Sequence, residues 1–374
     1  MRPATASSTR PTLGSGMADE RTSDRHRMAP VHIAGRAIGP GEPVYVIAEL
    51  SANHGGSLDR ALELVGLAAE AGVDAVKLQT YTPDSMTLDV DLPAFVVGAG
   101  TQWAGRRLYE LYAEAQTPWA WHEAIFEAAR GAGIHCFSTP FDIAAVDQLA
   151  SLDPPAYKVA SFELRDLPLI RHVAAQGRPV IMSTGMATAA EIDEAVGAAS
   201  EAPGLILLRC NSAYPAPPSE MDLATIADMR ERWQVPVGLS DHCLAPTAAV
   251  AAVALGAVVI EKHITLTRSE PGPDSSFSME PAELARLVEM VREAQAAVGT
   301  VRYGPSPAEV PSLAFRRSLW FVSDLEAGAV VSDEAVASLR PAGGLEPDRR
   351  GEVVGRRLRR GVVRGTAVTE DLFD

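Results

Sequence analysis

Two lysines lie inside short apolar runs of the chain, where a charged side chain is costly to bury. Lys77 lies in the run 75–79, and Lys158 lies in the run 156–161. A buried ammonium group is tolerated only when an anion pairs with it. Hydroxyl groups stand near the ends of other runs, at Thr139, Ser161 and Ser183. Lysines ringed by hydroxyls predict a site for a phosphate and a carboxylate, and structural salt bridges with acids such as Glu49 are the alternative.

Two histidines, His242 and His263, stand at the ends of the last two apolar runs. Imidazoles on neighbouring strand ends can share one divalent ion, whose other coordination positions are filled by water and substrate oxygens. Such an ion acts as a Lewis acid and polarises a carbonyl group. Because two ligands are a weak signature, two hydrogen-bonded core histidines are the alternative. Glu49, after the first run, fits a general acid or base or a salt-bridge partner. Asp274 fits either a plain turn or a contact to a polyhydroxylated substrate.

Eight strand-like apolar runs position these residues, at 44–49, 75–79, 135–139, 156–161, 180–184, 205–210, 235–240 and 258–263. Amphipathic helical patterns follow them, at 58–71, 119–132, 143–151, 167–175, 189–199, 221–232, 246–254 and 281–298. Near-continuous apolar strands that alternate with helices predict a parallel sheet covered by helices. The count of eight favours a closed (β/α)8 TIM barrel, whose functional groups come from the C-terminal ends of the strands. An open doubly wound sheet is the alternative, although the glycine fingerprint GxGxxG of dinucleotide-binding folds is missing after the first run.

We expect the barrel to span residues 31–299, with other segments before, inside and after it. Residues 1–30 are rich in Arg, Ser, Thr and Pro and lack the apolar stretch of a signal peptide, so we expect a disordered tail, with Met17 or Met28 as an alternative start. The connection 81–117 is long for a βα loop, and its aromatic residues fit a cover over a substrate or an anchor to the barrel rim. Residues 300–315 predict a linker. Residues 316–374 predict a small β-rich domain that docks on the barrel or on a partner subunit.

Composition narrows the partners and the location that we expect. The formal net charge is −15, which argues against non-specific nucleic-acid binding. No apolar run reaches the roughly 18 residues of a membrane span, so we expect no membrane insertion. Cys136, Cys210 and Cys243 show no CxxC spacing, which indicates a reducing compartment and hence a cytoplasmic location.

The chain resembles the sialic acid synthase family from about residue 43 to its end. The matching segments, written with the number of their first residue, are AELSANH at 48, VKLQT at 76, FSTPF at 137, YKVAS at 157, STGM at 183, YP at 214, GLSDH at 238, EKH at 261 and GPD at 272. Together these segments are highly specific. The C-terminal part resembles the antifreeze-like (SAF) domain of that family, including the pair Arg340-Pro341.

The resemblance implies a reaction in which phosphoenolpyruvate (PEP) condenses with the open-chain aldehyde of an acetamido sugar, water is added and phosphate is released. It implies that Glu49 is the catalytic carboxylate. It also implies that His242 and His263 hold a divalent ion, Mn2+ or Mg2+, which orients and polarises the aldehyde. The implied PEP-binding residues are Lys77, Thr139, Lys158, Ser161, Ser183 and Ser212, the last at a position where many members of the family have Asn.

The resemblance further implies how the sugar is bound and how subunits assemble. Tyr214 and Asp274 match sugar-binding positions. Arg340 matches an arginine that the SAF domain delivers into the active site of the other subunit, which implies a domain-swapped homodimer. Segments 50–54, 117–122 and 161–163 look like the pseudaminic acid synthase branch.

The sugar implied by that branch is 2,4-diacetamido-2,4,6-trideoxy-L-altrose. Because this sugar lacks a 6-hydroxyl, its pocket is expected to be less polar on one side. Synthesis of N-acetylneuraminate or of legionaminate is the alternative. A non-enzymatic carbohydrate-binding protein that acts through the SAF-like domain is the alternative of another class, and the polar residues at the strand ends argue against it.

Overall fold

Eight parallel strands close into a barrel in the computed structural model, which describes residues 28–374. The strands up to the end of the barrel are β1 Val31–Ile33, β2 Arg36–Ile38, β3 Tyr45–Glu49, β4 Ala75–Thr80, β5 His135–Pro140, β6 Tyr157–Val159, β7 Val180–Ser183, β8 Leu205–Cys210, β9 Val237–Asp241 and β10 Val259–His263. Strands β3 to β10 follow the chain order around the barrel, and β10 pairs with β3 to close it. This closure confirms the predicted (β/α)8 barrel and rules out the open sheet.

Ten helices accompany the barrel strands within residues 28–299. They are α1 Leu58–Glu70, α2 Pro83–Met86, α3 Leu108–Ala115, α4 His122–Gly131, α5 Ile143–Ala150, α6 Leu167–Ala174, α7 Ala189–Ala198, α8 Thr225–Trp233, α9 Thr247–Ala254 and α10 Pro281–Val298. Eight of them follow the barrel strands and cover the outer face, while α2 and α3 lie in the connection between β4 and α4. Helix α1 begins at Ser57, whose side chain accepts a hydrogen bond from the backbone N–H of Arg60. Its buried residues recur every three or four positions and form one apolar stripe: Ala61, Leu64, Val65 and Ala68. Such stripes pack against the outward side chains of the strands in the largest core cluster.

The antiparallel hairpin β1–β2 closes one end of the barrel. Its apolar side chains pack in one cluster with residues inside the barrel, among them Tyr45, Phe137 and Val259. Gly204 permits this approach, because a Cβ atom there would lie 2.7 Å from Val31 Cγ1. Tyr45 and Val259 are the first residues of their strands, so the hairpin lies at the N-terminal ends of the strands. The C-terminal ends, where the predicted site residues stand, face away from it.

Two of the departures from the predicted elements lie close to the strand ends. The connection 81–117 contains helices α2 and α3 and a 3-10 turn at Pro93–Phe95. Between them, Val97 N donates to Arg106 O and Gly105 N donates to Val97 O, both at 2.9 Å, which folds residues 97–106 back on themselves. We call residues 97–106 the strap. Strand β6 is shorter than the predicted run 156–161, because a 3-10 turn begins at residue 161.

The chain divides into two compact units, with the boundary between residues 299 and 300. In the second unit, β11 Ser318–Phe321 pairs antiparallel with β12 Val336–Leu339, and α11 Arg350–Val353 is a single helical turn. Its own core is a cluster of buried apolar side chains that includes Leu319, Phe321, Val336, Val353, Val368 and Phe373. This unit contains the small β-rich domain that the sequence predicts.

The predicted disordered tail, residues 1–30, lies outside the described residues except for its last three positions. Within residues 28–374, no helix combines the length and the apolarity that are needed to cross a membrane. Cys136, Cys210 and Cys243 are all free thiols in buried positions.

Candidate active site

A cavity of about 440 Å³ opens at the C-terminal ends of the barrel strands. Side chains alternate along a strand, so every second residue faces the barrel interior. On β10, Glu261 and His263 line the cavity, whereas Lys262 is fully buried elsewhere and pairs with Asp241 at 2.9 Å. The predicted site residues that line the cavity are Lys77, Lys158, Ser161, Ser183, Tyr214, His242, His263 and Asp274.

Glu49, Lys77, Lys158 and Glu261 form a compact cluster of charges, which we call the quartet. Lys77 Nζ pairs with Glu49 Oε2 and lies 3.6 Å from Glu261 Oε1. Lys158 Nζ lies 3.4 Å from the same oxygen of Glu261. None of the four side chains is more than 5% exposed. Two positive charges are thus matched by two negative charges, which makes the burial of all four groups tolerable.

The two carboxyl groups of the quartet differ in pKa. Burial raises the pKa of Glu49 above its ordinary value, and the neighbouring Lys77 offsets this effect only in part. Burial acts in the same direction on Glu261, but Lys158 and Lys77 outweigh it and lower the pKa of Glu261. Glu261 is therefore a lasting counter-ion of the lysines. Glu49 is the carboxyl group that more readily carries a proton.

Hydroxyl groups from β5 and β7 contact the two lysines. Lys77 Nζ donates to Thr139 Oγ1 at 3.1 Å, and Lys158 Nζ donates to Ser183 Oγ at 2.7 Å. Ser183 lines the cavity beside Lys158, and Thr139 reaches it through Lys77. Ammonium and hydroxyl donors that point into one cavity form a set suited to the oxygens of a phosphate or a carboxylate.

Ser161 and Ser212 approach each other at Gly185. Ser161 Oγ accepts a hydrogen bond from Gly185 N at 3.0 Å. A Cβ atom at Gly185 would collide with Ser212 Oγ and would lie 2.8 Å from Ser161 Oγ, so a glycine is needed there. Ser161 lines the main cavity, whereas Ser212 lines a second, more open cavity, and Cys210 borders both. The contact between Ser212 and PEP stays a prediction.

His242 and His263 lie side by side in the cavity, with ring centroids 5.4 Å apart. His242 Nδ1 donates to Asn211 O at 2.7 Å, which directs the lone pair to Nε2. His263 Nδ1 is buried and has no hydrogen-bond partner among the described residues. A ring fixed by a backbone carbonyl and a buried nitrogen without a partner both fit residues that hold a divalent cation.

The donor set at this position is small. Within the part of the chain that the structure describes, no cluster of three or more His, Cys, Asp or Glu side chains is arranged to hold a metal ion. An ion at His242 and His263 would therefore take its other ligands from water and from substrate oxygens. Open coordination of this kind is typical of catalytic rather than structural metal sites.

Tyr214 and Asp274, the two predicted sugar-binding residues of the barrel unit, adjoin the histidines. The Tyr214 ring centroid lies 4.2 Å from that of His242 and 5.0 Å from that of Phe277. The carboxylate of Asp274 accepts a hydrogen bond from Ser51 Oγ, and burial raises its pKa. An aromatic face and a buried carboxyl group beside a cation site are suited to the apolar and hydroxyl groups of a sugar.

Glu163, Glu261 and Trp103 are among the cavity-lining residues to which the sequence assigns no site role. Glu261 follows from strand alternation, because it stands two positions before His263 and faces the same way. Burial raises the pKa of Glu163 to about 7, and its Oε2 has no hydrogen-bond partner among residues 28–374. Trp103 lies in the long connection, whose aromatic residues fit a cover or an anchor, and no local pattern decides between these.

The connection between β4 and α4 supplies an apolar wall to the cavity. Its residues that line the cavity are Tyr81, Met86, Val97, Trp103, Leu108, Leu111, Tyr112 and Ala115. The strand ends supply the polar side, through the quartet, the hydroxyls and the histidines. The cavity is therefore less polar on one side than on the other.

Arg340, the third predicted sugar-binding residue, belongs to the second unit. It is exposed, and its side chain forms no ion pair or hydrogen bond within the described residues. Its place in the active site of a partner subunit stays a prediction.

Known proteins share the sequence family and the fold of this chain. A model of the NeuB family matches residues 64–303, and a model of the SAF domain matches residues 316–374. The chain belongs to the NeuB family. This membership confirms the predicted sialic acid synthase family and the predicted SAF domain.

Relatives of this NeuB-family chain match it over most of their length. It is 43% identical to the pseudaminic acid synthase of Campylobacter jejuni over 332 residues, which cover 88% of this chain and 96% of that protein. It is 37% identical to the pseudaminic acid synthase of Helicobacter pylori over 334 residues, which cover 88% and 98%. One similar solved structure is that of an N-acetylneuraminic acid synthetase from Leptospira borgpetersenii in complex with citrate. It matches with a TM-score of 0.69 at 30% sequence identity, and the match covers 77% of this chain and 96% of that chain.

Proposed function

We propose that the protein is a pseudaminic acid synthase. It condenses PEP with 2,4-diacetamido-2,4,6-trideoxy-L-altrose and water and releases a nonulosonic acid and phosphate. The observation that carries this proposal is the buried quartet beside two histidines in one cavity of a NeuB-family barrel. The 43% identity to the pseudaminic acid synthase of Campylobacter jejuni supports the choice of sugar.

PEP binds at the lysine side of the cavity. Lys158, Ser161 and Ser183 hold the phosphate, because an ammonium group and two hydroxyls there have donors to offer. Lys77, with Thr139 as its hydroxyl partner, binds the carboxylate. The anion enters a site whose positive charges are already balanced, so it binds by sharing the lysines with the two glutamates rather than by filling an uncompensated positive pocket.

The reaction needs one proton acceptor and one proton donor. The C3 carbon of PEP attacks the aldehyde carbon, the aldehyde oxygen gains a proton, and water adds to C2 with the loss of a proton. The resulting tetrahedral carbon expels phosphate and becomes the keto group. Glu49 moves the proton, because burial raises its pKa and Lys77 holds it beside PEP.

His242 and His263 fit a divalent cation, which we propose is Mn2+ or Mg2+. When bound, the cation supplies Lewis-acid polarisation of the aldehyde oxygen. The protein itself orients the sugar: Tyr214 packs against His242, and Asp274 binds a sugar hydroxyl from the side of Ser51. Metal dependence is general among synthases of this family.

We also propose a domain-swapped homodimer in which the SAF domain of one protomer supplies Arg340 to the active site of the partner. An exposed guanidinium group without an ion pair in its own unit supports this role. Its planar fork of N–H donors suits the carbonyl and hydroxyl oxygens of an acetamido sugar. Three buried free thiols agree with a reducing, cytoplasmic compartment.

Phosphate release from PEP with three aldoses tests the proposed function. The aldoses are the diacetamido-trideoxy-L-altrose, its legionaminic counterpart and N-acetylmannosamine. We expect the altrose to have the highest kcat/KM, and Lys158→Met to lower it by roughly 100-fold or more. Arg286→Met, at an exposed position, is the control and should match the wild type. A higher kcat/KM with another aldose would reassign the sugar, and no phosphate release with any of the three would refute the proposal.

A further inference from the structure

The strap crosses from the β4 side of the barrel to the loop that follows β10. Gln102 Nε2 and Trp103 Nε1 both donate to Pro273 O, at 2.9 and 2.7 Å, and Ser276 Oγ donates to Gln102. Since β4 and β10 are the two neighbours of β3, the strap passes over the end of β3. The loop that the strap contacts also carries Asp274, which accepts a hydrogen bond from Ser51 Oγ.

Trp103 is the aromatic residue that the strap places in the cavity. Its ring centroid lies 5.6 Å from that of Tyr214 and 6.4 Å from that of Phe277, and all three rings line the cavity. Tyr214 in turn packs on His242. Trp103 thus lies one ring farther from His242 than Tyr214 does. With the aldehyde of a sugar beside His242, the far end of the sugar points toward Trp103.

The indole of Trp103 has no hydrogen bond to offer a substrate. Its single N–H is directed to Pro273 O, and an indole ring has no other donor and no acceptor. The neighbouring liners Val97, Leu108 and Leu111 are aliphatic. A hydroxyl group placed against the face of Trp103 and these aliphatic side chains would leave its water partners and find no replacement there.

We propose that Trp103 is a specificity-determining residue, whose face receives the deoxygenated, methyl-bearing end of the sugar and disfavours a hydroxyl there. The inference rests on the proposed function, since it names which end of the proposed substrate meets the apolar wall. An apolar pocket rejects an added hydroxyl by roughly 100-fold at most. We therefore expect the wild type to prefer the 6-deoxy sugar by about 10- to 100-fold in kcat/KM.

A matched pair of variants tests this role. Trp103→Phe and Trp103→Tyr both lose the indole N–H and both keep an aromatic face, and they differ only in one hydroxyl group. The substrates are 2,4-diacetamido-2,4,6-trideoxy-L-altrose and the same sugar with its 6-hydroxyl. Phosphate release gives the ratio of the two kcat/KM values. We expect Trp103→Phe to keep the wild-type ratio within about threefold and Trp103→Tyr to lower it at least fivefold, because the phenol can pair with the hydroxyl of the sugar.

Gln102→Ala is the control for the strap, because it removes one of the two hydrogen bonds to Pro273 O without changing the wall. It should lower kcat/KM equally for both sugars and leave the ratio unchanged. Equal ratios in the Phe and Tyr variants, or a wild type that uses both sugars equally well, would overturn the inference while leaving the proposed function in place. A wild type that releases no phosphate with the 6-deoxy sugar would instead overturn the proposed function.

Discussion

Replacing Glu261 by Gln tests the quartet, because it removes one charge and leaves the shape of the side chain almost unchanged. In the variant, Lys77 and Lys158 share only Glu49, so one buried positive charge has no counter-ion. Breaking a buried ion pair costs about 3–5 kcal/mol. At about 2 °C per kcal/mol for a domain of this size, we expect the melting temperature to fall by roughly 6–10 °C.

PEP should reverse part of this loss. Its negative charge takes the place of the missing carboxylate between Lys77 and Lys158, so PEP should raise the melting temperature of Glu261→Gln more than that of the wild type. A ligand at 100 times its Kd stabilises the folded state by about 2.7 kcal/mol, which corresponds to a shift of about 5 °C. The measurement is thermal unfolding followed by circular dichroism near neutral pH, with and without PEP.

The dependence on pH gives a second check on Glu261→Gln. The pKa of Glu261 is lowered from an ordinary value of 4.5, so its stabilising effect is complete above about pH 4.5 and is lost as the pH falls through the lower pKa of the folded state. The variant and the wild type should therefore converge in strong acid. Glu289→Gln is the control, because Glu289 and Arg286 are 59% and 58% exposed and such a pair contributes at most about 1 kcal/mol. A Glu261→Gln protein that melts together with the wild type at neutral pH would refute the reasoning.

Three further predictions concern other groups of the site. Burial raises the pKa of Glu163 to about 7 from 4.5, so the wild type should lose stability as the pH rises between these two values. Glu163→Gln should be more stable than the wild type above pH 7, by at most about 3 kcal/mol, and equally stable below pH 4.5. Urea unfolding at several pH values measures this difference. His242→Ala and His263→Ala should each abolish metal-dependent phosphate release without unfolding the protein, and full turnover of either variant in EDTA would contradict the cation site. Arg340→Ala should lower activity, and mixing its subunits with those of Lys158→Ala should restore part of it if the site is shared; no recovery after subunit exchange would count against the swapped dimer.

The barrel and much of its site follow from local features of the sequence. Apolar runs and helical periodicity predict the eight strands, and polar residues at the ends of those runs predict most of the polar side of the cavity, because both signals depend on near neighbours in the chain. Glu261 also lies within reach of such reasoning, since the alternation that turns His263 inward turns Glu261 inward too. The closed order of the strands, which places β10 beside β3 and β3 beside β4, then brings Glu261, Glu49 and Lys77 together, and Lys158 reaches Glu261 from β6 across the barrel interior.

The parts that local reasoning misses depend on contacts between distant segments. Trp103 reaches Pro273 across 170 positions of the chain, and nothing in residues 97–106 alone indicates that partner. The separation of Ser212 from the main cavity arises from the packing at Gly185, which brings three different segments together. Tertiary packing, rather than propensity or residue type, decides these positions.

Charge fixes the register of the strand that closes the barrel. Strand β10 pairs with β3 so that His263 stands opposite Glu49, which places Glu261 in the quartet and Lys262 against Asp241. A shift of β10 by one residue would turn every side chain to the other face. Lys262 would then join Lys77 and Lys158 with only Glu49 to balance three ammonium groups, and Asp241 would lose its buried partner. Each of these two errors costs several kcal/mol, so the alternating charges of β10 disfavour a slip by one residue in either direction.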